Sequence, residues 1–477
     1  MREKHFGVTR GFDDMPRQVE KPTSFTRSFV RGELALGSWS FAKKAAGVLD
    51  AFLILRVFSL YQFGAYQLLL SFYTILSDIF HDMFGEVVGT DLARFAGAGE
   101  EAKAKRLFRE YALFRLGLAA IPGAVLFFAA PAIAAYMGYG GEADAILRIM
   151  AVLFMLDAII LLLTTLLKLR LQFAVLAPRA TVQKLLQLAV LSIFFFSEGL
   201  GLREVFLAQL AGAAGAILMI LPAARRSTAP WRGVRAVPER VFWPAVRAHG
   251  KWAVPQSLLN DITGKARPWL IRVFLNTEAV GIFGVAYTFL SALKDLLPIR
   301  TSGVLVPRKV GDKKALDRFY RYGTKYFVWL ALGMSLAAAV AVPLVIMLFF
   351  PQFRASVPLF LLLLPMVPLF AFIKPMTFVL VALRRQKFLF SQSVVQTALA
   401  LALLLALLPA AGITGLAIAE VLVTACVAGI RYRYLVRTGT VGRFAFRSLL
   451  TLDAEDRNNI RIFVRHFVGA LRLKKFV

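Results

Sequence analysis

The sequence predicts an all-α protein that crosses a membrane about twelve times, in two related lobes of six helices each. Hydrophobic residues make up 58% of the chain and its mean hydropathy is +0.67, whereas soluble globular chains are about half apolar. Apolar runs recur along the chain, near the length of about 20 residues that a helix needs to cross the hydrocarbon layer. The sequence also repeats itself. These three observations indicate a duplicated, polytopic helical membrane protein.

The repeat relates the stretch 63–80 to the stretch 280–297. In that register the identical pairs are Gly64 and Gly281, Phe72 and Phe289, Leu76 and Leu293, and Asp78 and Asp295. A second match at nearly the same offset joins the tetrapeptides LRLQ and LRRQ. Six spans per half is an even number, so both halves run in the same direction. We therefore expect a pseudo-two-fold axis along the membrane normal, with a cavity between the lobes.

The order of the elements follows from the apolar runs. The predicted spans are 34–57, 66–84, 114–137, 146–167, 182–196, 205–221, 254–274, 281–306, 326–350, 357–383, 388–408 and 412–430. The predicted domains are a cytoplasmic N-terminal arm at 1–30, an N-lobe at 31–222, a cytoplasmic linker at 223–245, a C-lobe at 246–436 and a basic amphipathic cytoplasmic tail at 437–477.

Basic residues collect in every second connection. The connections after the even-numbered spans carry clustered Lys and Arg, whereas the others are short and poor in bases. By the positive-inside rule, both termini and the basic connections are cytoplasmic. The formal net charge of +29 is explained in this way, so we do not expect a nucleic-acid partner. The first apolar run is not followed by a small-residue cleavage site, which argues against a removable signal peptide.

The C-terminal tail has an apolar face at helical spacing. Its members are Ile460, Phe463, Val464, Phe467, Val468 and Leu471, and arginines lie away from that face. Such a helix is expected to lie on anionic lipids of the inner leaflet. Packing against the protein's own cytoplasmic loops is the alternative.

Ionisable residues inside the predicted spans are the candidate functional residues, because charge within a membrane is costly and usually faces a protein interior or watery cavity. The candidates for lining a cavity that binds an anionic group, especially a phosphate or diphosphate, are Lys43, Lys265, Arg272, Lys294, Tyr287 and Ser291. The acids, either structural partners of these bases or binders of H⁺ or Na⁺, are Asp50, Asp78, Asp82, Asp261 and Asp295. Bases suit a phosphate because Arg offers a bidentate fork and Lys a point charge.

Helical spacing supports one lining for these residues. Asp261, Lys265 and Arg272 superpose on the helical wheel of the seventh span, and spans one, two and eight show comparable polar faces. Asp261 and Lys265 could also be a simple neutralising pair. Three further ionisable residues, each isolated within its span, are treated as structural or coupling groups: Asp157, Lys374 and Glu420.

Catalytic and metal signatures are missing from the sequence. It contains neither HExxH nor a G-x-x-x-x-G-K-[ST] phosphate loop, and the connections are too short for a catalytic domain. Cys426 is the one cysteine, so neither an internal disulfide nor a multi-cysteine metal site can form. We expect no enzyme activity, no metal and no cofactor other than a coupling ion.

Four motifs in order along the chain carry a family resemblance. The stretches LRVFSLYQFGAY at 55–66, TEAVGIFGVAYTF at 277–289, FFPQFRASVPLFLLLL at 349–364 and AAGITGLAIAEVL at 410–422 resemble segments of the Wzx-type polysaccharide flippases, although Pro351 stands where glycine is usual. That family lies in the superfamily of multidrug and oligosaccharidyl-lipid exporters. The resemblance implies a two-lobed transporter of the bacterial inner membrane. It would flip a polyprenyl-diphosphate-linked oligosaccharide outward for surface polysaccharide synthesis, by alternating access.

Two other functions stay open on the sequence alone. An ion-coupled multidrug antiporter of the same superfamily would be expected to have an acidic cavity for cations, whereas this one is rich in bases. A scaffold of the envelope-assembly machinery that transports nothing would have little reason to tolerate intramembrane charge. Partners other than the lipid-linked substrate could include anionic lipids at the tail and other polysaccharide-assembly proteins.

Overall fold

The computed structural model describes residues 22–82, 85–138, 141–244, 264–297, 313–383 and 385–442, and within them the chain is helical with no strand. The N-lobe helices are α1 Pro22–Val57, α2 Leu60–Ser77, α3 Gly85–Gly97, α4 Glu101–Phe128, α5 Ala130–Met137, α6 Gly141–Leu169, α7 Phe173–Phe196 and α8 Leu202–Ser227. The C-lobe helices are α9 Arg267–Phe274, α10 Thr277–Leu296, α11 Lys313–Phe349, α12 Ser356–Leu363, α13 Met366–Ala382 and α14 Gln386–Arg437. A π-helical turn, Asp78–Asp82, continues α2.

The helices confirm the predicted class of a polytopic, two-lobed bundle. Within the described residues, nine segments are long and apolar enough to cross a membrane, and the last of them, α14, has 52 residues. Counting α14 as two spans, they account for ten of the twelve predicted crossings. The other two are α1 and the seventh span, whose first part, before residue 264, lies outside the described residues, as do the residues of the C-terminal tail beyond 442.

Several boundaries differ from the predicted ones. The first helix begins at Pro22, inside the predicted arm, and α8 runs to Ser227, inside the predicted linker. The third span is two helices, because α4 ends at Phe128 and Pro131 lies in the first turn of α5. Proline suits a first turn because its missing N–H would have no helical partner there.

A glycine divides α14 into the two predicted spans. Gly412 has φ 57° and ψ −143°, so the helix is interrupted there and the chain turns back into the bundle. A positive φ costs glycine little, since it has no Cβ. The eleventh and twelfth predicted spans are therefore the two parts of one kinked element.

The repeat is visible in the way α2 and α10 begin. Ser59 precedes α2, and its hydroxyl accepts a hydrogen bond of 3.2 Å from the Gln62 N–H. Asn276 precedes α10, and its side-chain oxygen accepts one of 2.7 Å from the Ala279 N–H. The two caps occupy equivalent positions in the repeat. Such caps stabilise a helix start by about 1 kcal/mol, so the duplicated halves start these helices by the same device.

The two lobes meet where α2 crosses α10. Gly64 and Gly281, which the repeat made equivalent, lie against each other at the crossing: a Cβ on Gly64 would collide with the Thr277 carbonyl, and one on Gly281 with the Leu60 carbonyl. Glycine permits this close approach of the two backbones, because it has no side chain. The crossing lies at the end of the molecule that we call the opposite end. The other end, which we call the basic end, carries the connections near Arg94, Arg170 and Arg385.

Further contacts seal the lobes together at the opposite end. Arg56 Nη1 donates to the Phe349 carbonyl at 3.0 Å, and Gln352 Nε2 to the Leu55 carbonyl at 2.9 Å. The rings of Phe52 and Phe350 lie 5.2 Å apart. Hydrogen bonds and aromatic packing thus join α1 to the 349–353 turn, so the lobes are closed at this end.

The linker between the lobes is held against the N-lobe. Trp231 Nε1 donates to Glu101 at 2.7 Å, and Arg170 forms an ion pair of 2.7 Å with the same carboxylate. Glu110 accepts hydrogen bonds from the N–H groups of Val241 and Phe242, at 3.0 and 2.9 Å. Up to Phe242 the linker is therefore part of the N-lobe.

Candidate functional site

Two predicted candidates join the lobes to each other. Lys265 forms an ion pair with Asp78 of α2, and Ser71 donates a hydrogen bond to the Lys265 carbonyl. The ammonium of Lys265 is therefore neutralised by an N-lobe carboxylate in this conformation. The predicted partner Asp261 and the side chain of Asp82 lie outside the described residues.

The predicted polar face of the seventh span is not continuous. The chain bends at Ala266, and α9 begins at Arg267 with Pro268 in its first turn. Pro268 has no N–H to donate to an earlier carbonyl, which interrupts the hydrogen bonds of the span there. Arg272 follows Lys265 by seven residues and lies near the opposite end, beside Gly138 and 6.0 Å from the centroid of the Trp269 ring. The structure does not bring Arg272 together with Lys265, and a substrate role for Arg272 stays a prediction.

In the N-lobe, the predicted acid Asp50 faces a base. Its carboxylate is buried, 2.6 Å from the ammonium of Lys184 and 3.2 Å from the amide of Gln187. Lys184 lies on α7 and was not among the predicted candidates. A buried carboxylate needs such a partner, because an isolated charge in a low-dielectric interior is costly.

The remaining candidates on α1 and α10 lie at more exposed positions. Lys43, Ser291 and Asp295 are exposed. The backbone carbonyl of Asp295 accepts a hydrogen bond of 2.5 Å from Lys44, a further polar link between the lobes.

A row of basic side chains runs through the C-lobe, and it begins at Arg267. Arg267 Nε forms an ion pair of 2.6 Å with the buried carboxylate of Glu420, and its guanidinium carbon lies 5.9 Å from the centroid of the Tyr287 ring. The Lys294 ammonium lies 5.5 Å from the centroid of the Tyr287 ring. Tyr287 therefore contacts both bases, and cation–π attraction holds the ammonium near the ring.

The row continues across Phe370 toward the basic end. Lys294 and Lys374 lie 5.8 and 4.8 Å from the centroid of this ring. Arg431 on α14 lies next to this part of α13, because its Nη1 donates a hydrogen bond of 2.6 Å to Thr377, one helical turn after Lys374. We call this set the cation row; its members are Arg267, Lys294, Lys374 and Arg431.

The charges in the cation row do not balance. Of its members, Arg267 has a carboxylate partner, whereas no described carboxylate forms an ion pair with Lys294, Lys374 or Arg431. Asp295 attracts Lys374 from a longer distance. Bases without partners are rare within membranes. The arrangement is suited to an anion that carries more than one negative charge.

Two of the four bases in this row were noted from the sequence. Lys294 and Tyr287 were candidates, and Lys374 and Glu420 were noted as isolated, but Arg267 and Arg431 were missed. The four bases lie on α9, α10, α13 and α14, and spacing within a single helix cannot show that they converge. No group of three His, Cys, Asp or Glu side chains in the described part of the chain could hold a metal ion.

Comparison with known proteins adds a family and a fold. A family model described as polysaccharide biosynthesis protein matches residues 53–358. No curated protein sequence matches this chain. Among solved structures, the chain is similar to the lipid II flippase MurJ in an inward closed conformation, with a TM-score of 0.69 and 12% identity over 87% of this chain and 89% of that one.

Two multidrug transporters are similar as well. A MATE family transporter of the MOP superfamily, in its inward-facing conformation, gives a TM-score of 0.66 at 14% identity over 83% of this chain and 94% of its own. A mutant of the Vibrio cholerae MATE transporter VcmN gives 0.58 at 16% identity, over 87% of this chain and 98% of that one. At such identities the likeness shows a shared fold.

Proposed function

This chain belongs to the polysaccharide biosynthesis protein family, and from that membership we propose that it flips a polyprenyl-diphosphate-linked oligosaccharide across a bacterial inner membrane, from the cytoplasmic leaflet to the outer one. Its fold is that of the MOP-superfamily transporters. The protein would work by alternating access, without ATP hydrolysis, and would serve the synthesis of a surface polysaccharide.

The observation that carries this proposal is the unbalanced charge of the cation row. A lipid-linked diphosphate is the kind of intramembrane substrate that brings several negative charges, and Arg and Lys are the side chains that bind phosphate oxygens. Lys294 and Lys374 hold their ammonium groups against Phe370, and neither has an ion-paired carboxylate in the described part of the chain. A substrate diphosphate would supply the missing counter-charge, and Tyr287 and Ser291 could bind sugar hydroxyls.

The closed opposite end supports alternating access. With the basic connections in the cytoplasm, as the positive-inside rule requires, the Gly64–Gly281 crossing closes the protein toward the outside. The Lys265–Asp78 ion pair joins the lobes in this state. Rocking of the lobes would break that pair, so Asp78 could exchange its partner for H⁺ or Na⁺ and couple the movement to an ion gradient. Asp50, Asp82, Asp261 and Asp295 are the other candidate coupling or structural acids.

The test measures the leaflet distribution of the lipid-linked oligosaccharide after this protein is depleted in its host. Depletion should leave the oligosaccharide on the cytoplasmic side, and wild-type protein should restore its transfer. The K294Q/K374Q variant should restore at most about a tenth of it, because a hydrogen bond to a charged group contributes about 1.5–3 kcal/mol. Neither lysine forms an ion pair with a described residue, so the variant leaves no described carboxylate without its partner.

A matched control is K103Q/K387Q. Both lysines lie at the basic end with exposed side chains, and the change in net charge is the same. This variant should restore transfer fully. An unchanged leaflet distribution after depletion would contradict the flippase function, and wild-type transfer by K294Q/K374Q would contradict the assignment of the site.

Multidrug antiport is the second candidate, favoured by the likeness to the MATE transporters. An antiporter for organic cations would use acids rather than the cation row. Depletion would then increase the accumulation of cationic dyes and leave the oligosaccharide distribution unchanged. A scaffold without transport activity would change neither quantity directly.

A further inference from the structure

Arg431, at the basic end of the cation row, is oriented by neutral groups. Its Nε donates to Gln392 Oε1 at 2.7 Å, and its Nη1 donates to Thr377 Oγ1 at 2.6 Å. Gln392 donates its own amide N–H to Gln396 at 2.9 Å, and Thr377 donates its hydroxyl to the Ile373 carbonyl at 3.1 Å. Both acceptors are thereby fixed, so they aim the guanidinium without neutralising it.

The remaining hydrogen-bonding capacity of Arg431 is large. A guanidinium has five N–H donors, and two of them are used here, which leaves about three for a ligand. Among the described residues, no carboxylate is paired with Arg431 and no acceptor contacts its Nη2. A guanidinium held rigidly, with unused donors and full charge, is pre-organised for a phosphate group.

The position of Arg431 separates it from the centre of the row. Along α14 it lies about 16 Å from Glu420, at the helical rise of about 1.5 Å per residue. It is about 9 Å from the end of α14 at Arg437, by the same rise. Glu420 and Arg267 thus lie deeper in the C-lobe, whereas Arg431 lies about two helical turns before the end of α14 at the basic end.

We propose that Arg431 and Lys374 form a separate phosphate-binding station at the basic end of the C-lobe, where the substrate's phosphate docks before it moves to Lys294 and Arg267. The proposal rests on the proposed function and adds a second binding site to it. Phe370 lies between the two stations and contacts a base from each. A phosphate leaving Lys374 therefore meets Lys294 next, so it passes between cations without crossing a stretch that lacks positive charge.

The experiment counts binding sites for inorganic pyrophosphate. The full chain is placed in nanodiscs of phosphatidylcholine and titrated with pyrophosphate in a calorimeter. Wild-type protein should bind two pyrophosphates. R431Q should bind one, with the affinity of the remaining site changed by less than about twofold, and K294Q should lose or weaken the other site. One site in the wild type, abolished by K294Q, would overturn the second station and leave the proposed function standing, whereas no binding at all would contradict both.

Arg433 provides the matched control. It lies two residues from Arg431 on α14 with an exposed side chain, so R433Q removes the same charge without touching the station. R433Q should keep both sites; if it loses a site as R431Q does, the station is overturned. If R431Q does not fold, K374Q gives the same test, because it leaves the Gln392–Arg431–Thr377 hydrogen bonds in place and should weaken the same site at least about fivefold.

Two sources of phosphate can occupy this station, a phospholipid headgroup or the substrate diphosphate. Repeating the titration in nanodiscs that contain phosphatidylglycerol distinguishes them. If the Arg431 site persists there, it selects the diphosphate. If it disappears in phosphatidylglycerol and is present in phosphatidylcholine, lipid phosphate competes for it, which also supports a phosphate station. A site count that is insensitive to R431Q and K374Q in both lipids overturns the proposal.

Discussion

The two lobes are related by the repeat, but their buried charged residues are paired differently. In the N-lobe, Asp50 is paired with Lys184, and Asp157 accepts a hydrogen bond from Tyr73. In the C-lobe, Glu420 is the one carboxylate that forms an ion pair with the described members of the cation row. These two N-lobe acids therefore have partners, whereas three of the four bases in the cation row have no ion-paired carboxylate among the described residues.

The fourth and tenth spans, equivalent in the repeat, show the contrast most directly. Asp157 on α6 contacts Tyr73 and is attracted by Arg179, so an acid lies among groups that stabilise it. Lys374 on α13 instead contacts Phe370 and is repelled by Arg431. The same position of the repeat thus holds an acid beside groups that stabilise its charge in one half, and a base beside another base in the other half. We infer that the duplicated halves have divided structural and binding roles.

The largest expected effect tests a position where the lobes are alike. Gly64→Leu and Gly281→Leu should each abolish transport, and to the same extent, because either side chain would force α2 and α10 apart at the closed end. Transfer of the lipid-linked oligosaccharide in depleted cells measures the effect. Gly333→Leu on α11 is the control, since that glycine is exposed with open space around it. Full activity in either variant would contradict the close crossing.

The second prediction concerns positions at which the lobes differ, and the quantity measured is thermal stability rather than transport. K184Q leaves the buried Asp50 carboxylate without its base, and breaking such a pair costs about 3 kcal/mol. The D50N/K184Q double variant should recover most of that loss. K294Q, by contrast, should not lower the Tm, because it removes a charge without an ion-paired carboxylate. Thermal unfolding in detergent measures all three, and equal losses in K184Q and K294Q would remove the distinction between the lobes.

The smallest predicted effect concerns Glu420, the carboxylate that forms an ion pair with Arg267 of the cation row. Glu420 would compete with a bound anion for Arg267. E420Q should therefore strengthen pyrophosphate binding at the central station, formed by Lys294 and Arg267, about tenfold, equivalent to about 1.4 kcal/mol. The exposed Asp295 supplies the control, and D295N should change that affinity less than about threefold. Calorimetry measures both. Weaker binding in a folded E420Q protein would show that Glu420 positions Arg267 for the anion instead of competing with it.

The length of the apolar runs was enough to predict the helices, because a membrane-spanning helix needs about 20 apolar residues and few other structural elements have such long apolar runs. The repeat also predicted which residues are equivalent, and Gly64 meets Gly281 as that equivalence allows. The cation row was predictable in part. Lys294 and Tyr287 share a helix face, whereas Arg267 joins them through packing of α9 against α10. The helical wheel placed Arg272 beside Lys265 because a wheel shows direction around a helix and not the distance of about 10 Å that seven residues span along it.

The glycine crossing also bears on the history of the chain. The two halves contact each other through equivalent surfaces, with Gly64 and Gly281 at equivalent positions. In symmetric dimers an interface of this kind is isologous, which means that a single subunit already carries both sides of it. One half on its own would therefore have been able to pair with a second copy of itself. Fusion of two such genes would then have required no new contact surface, and after it the charges of each half could change separately.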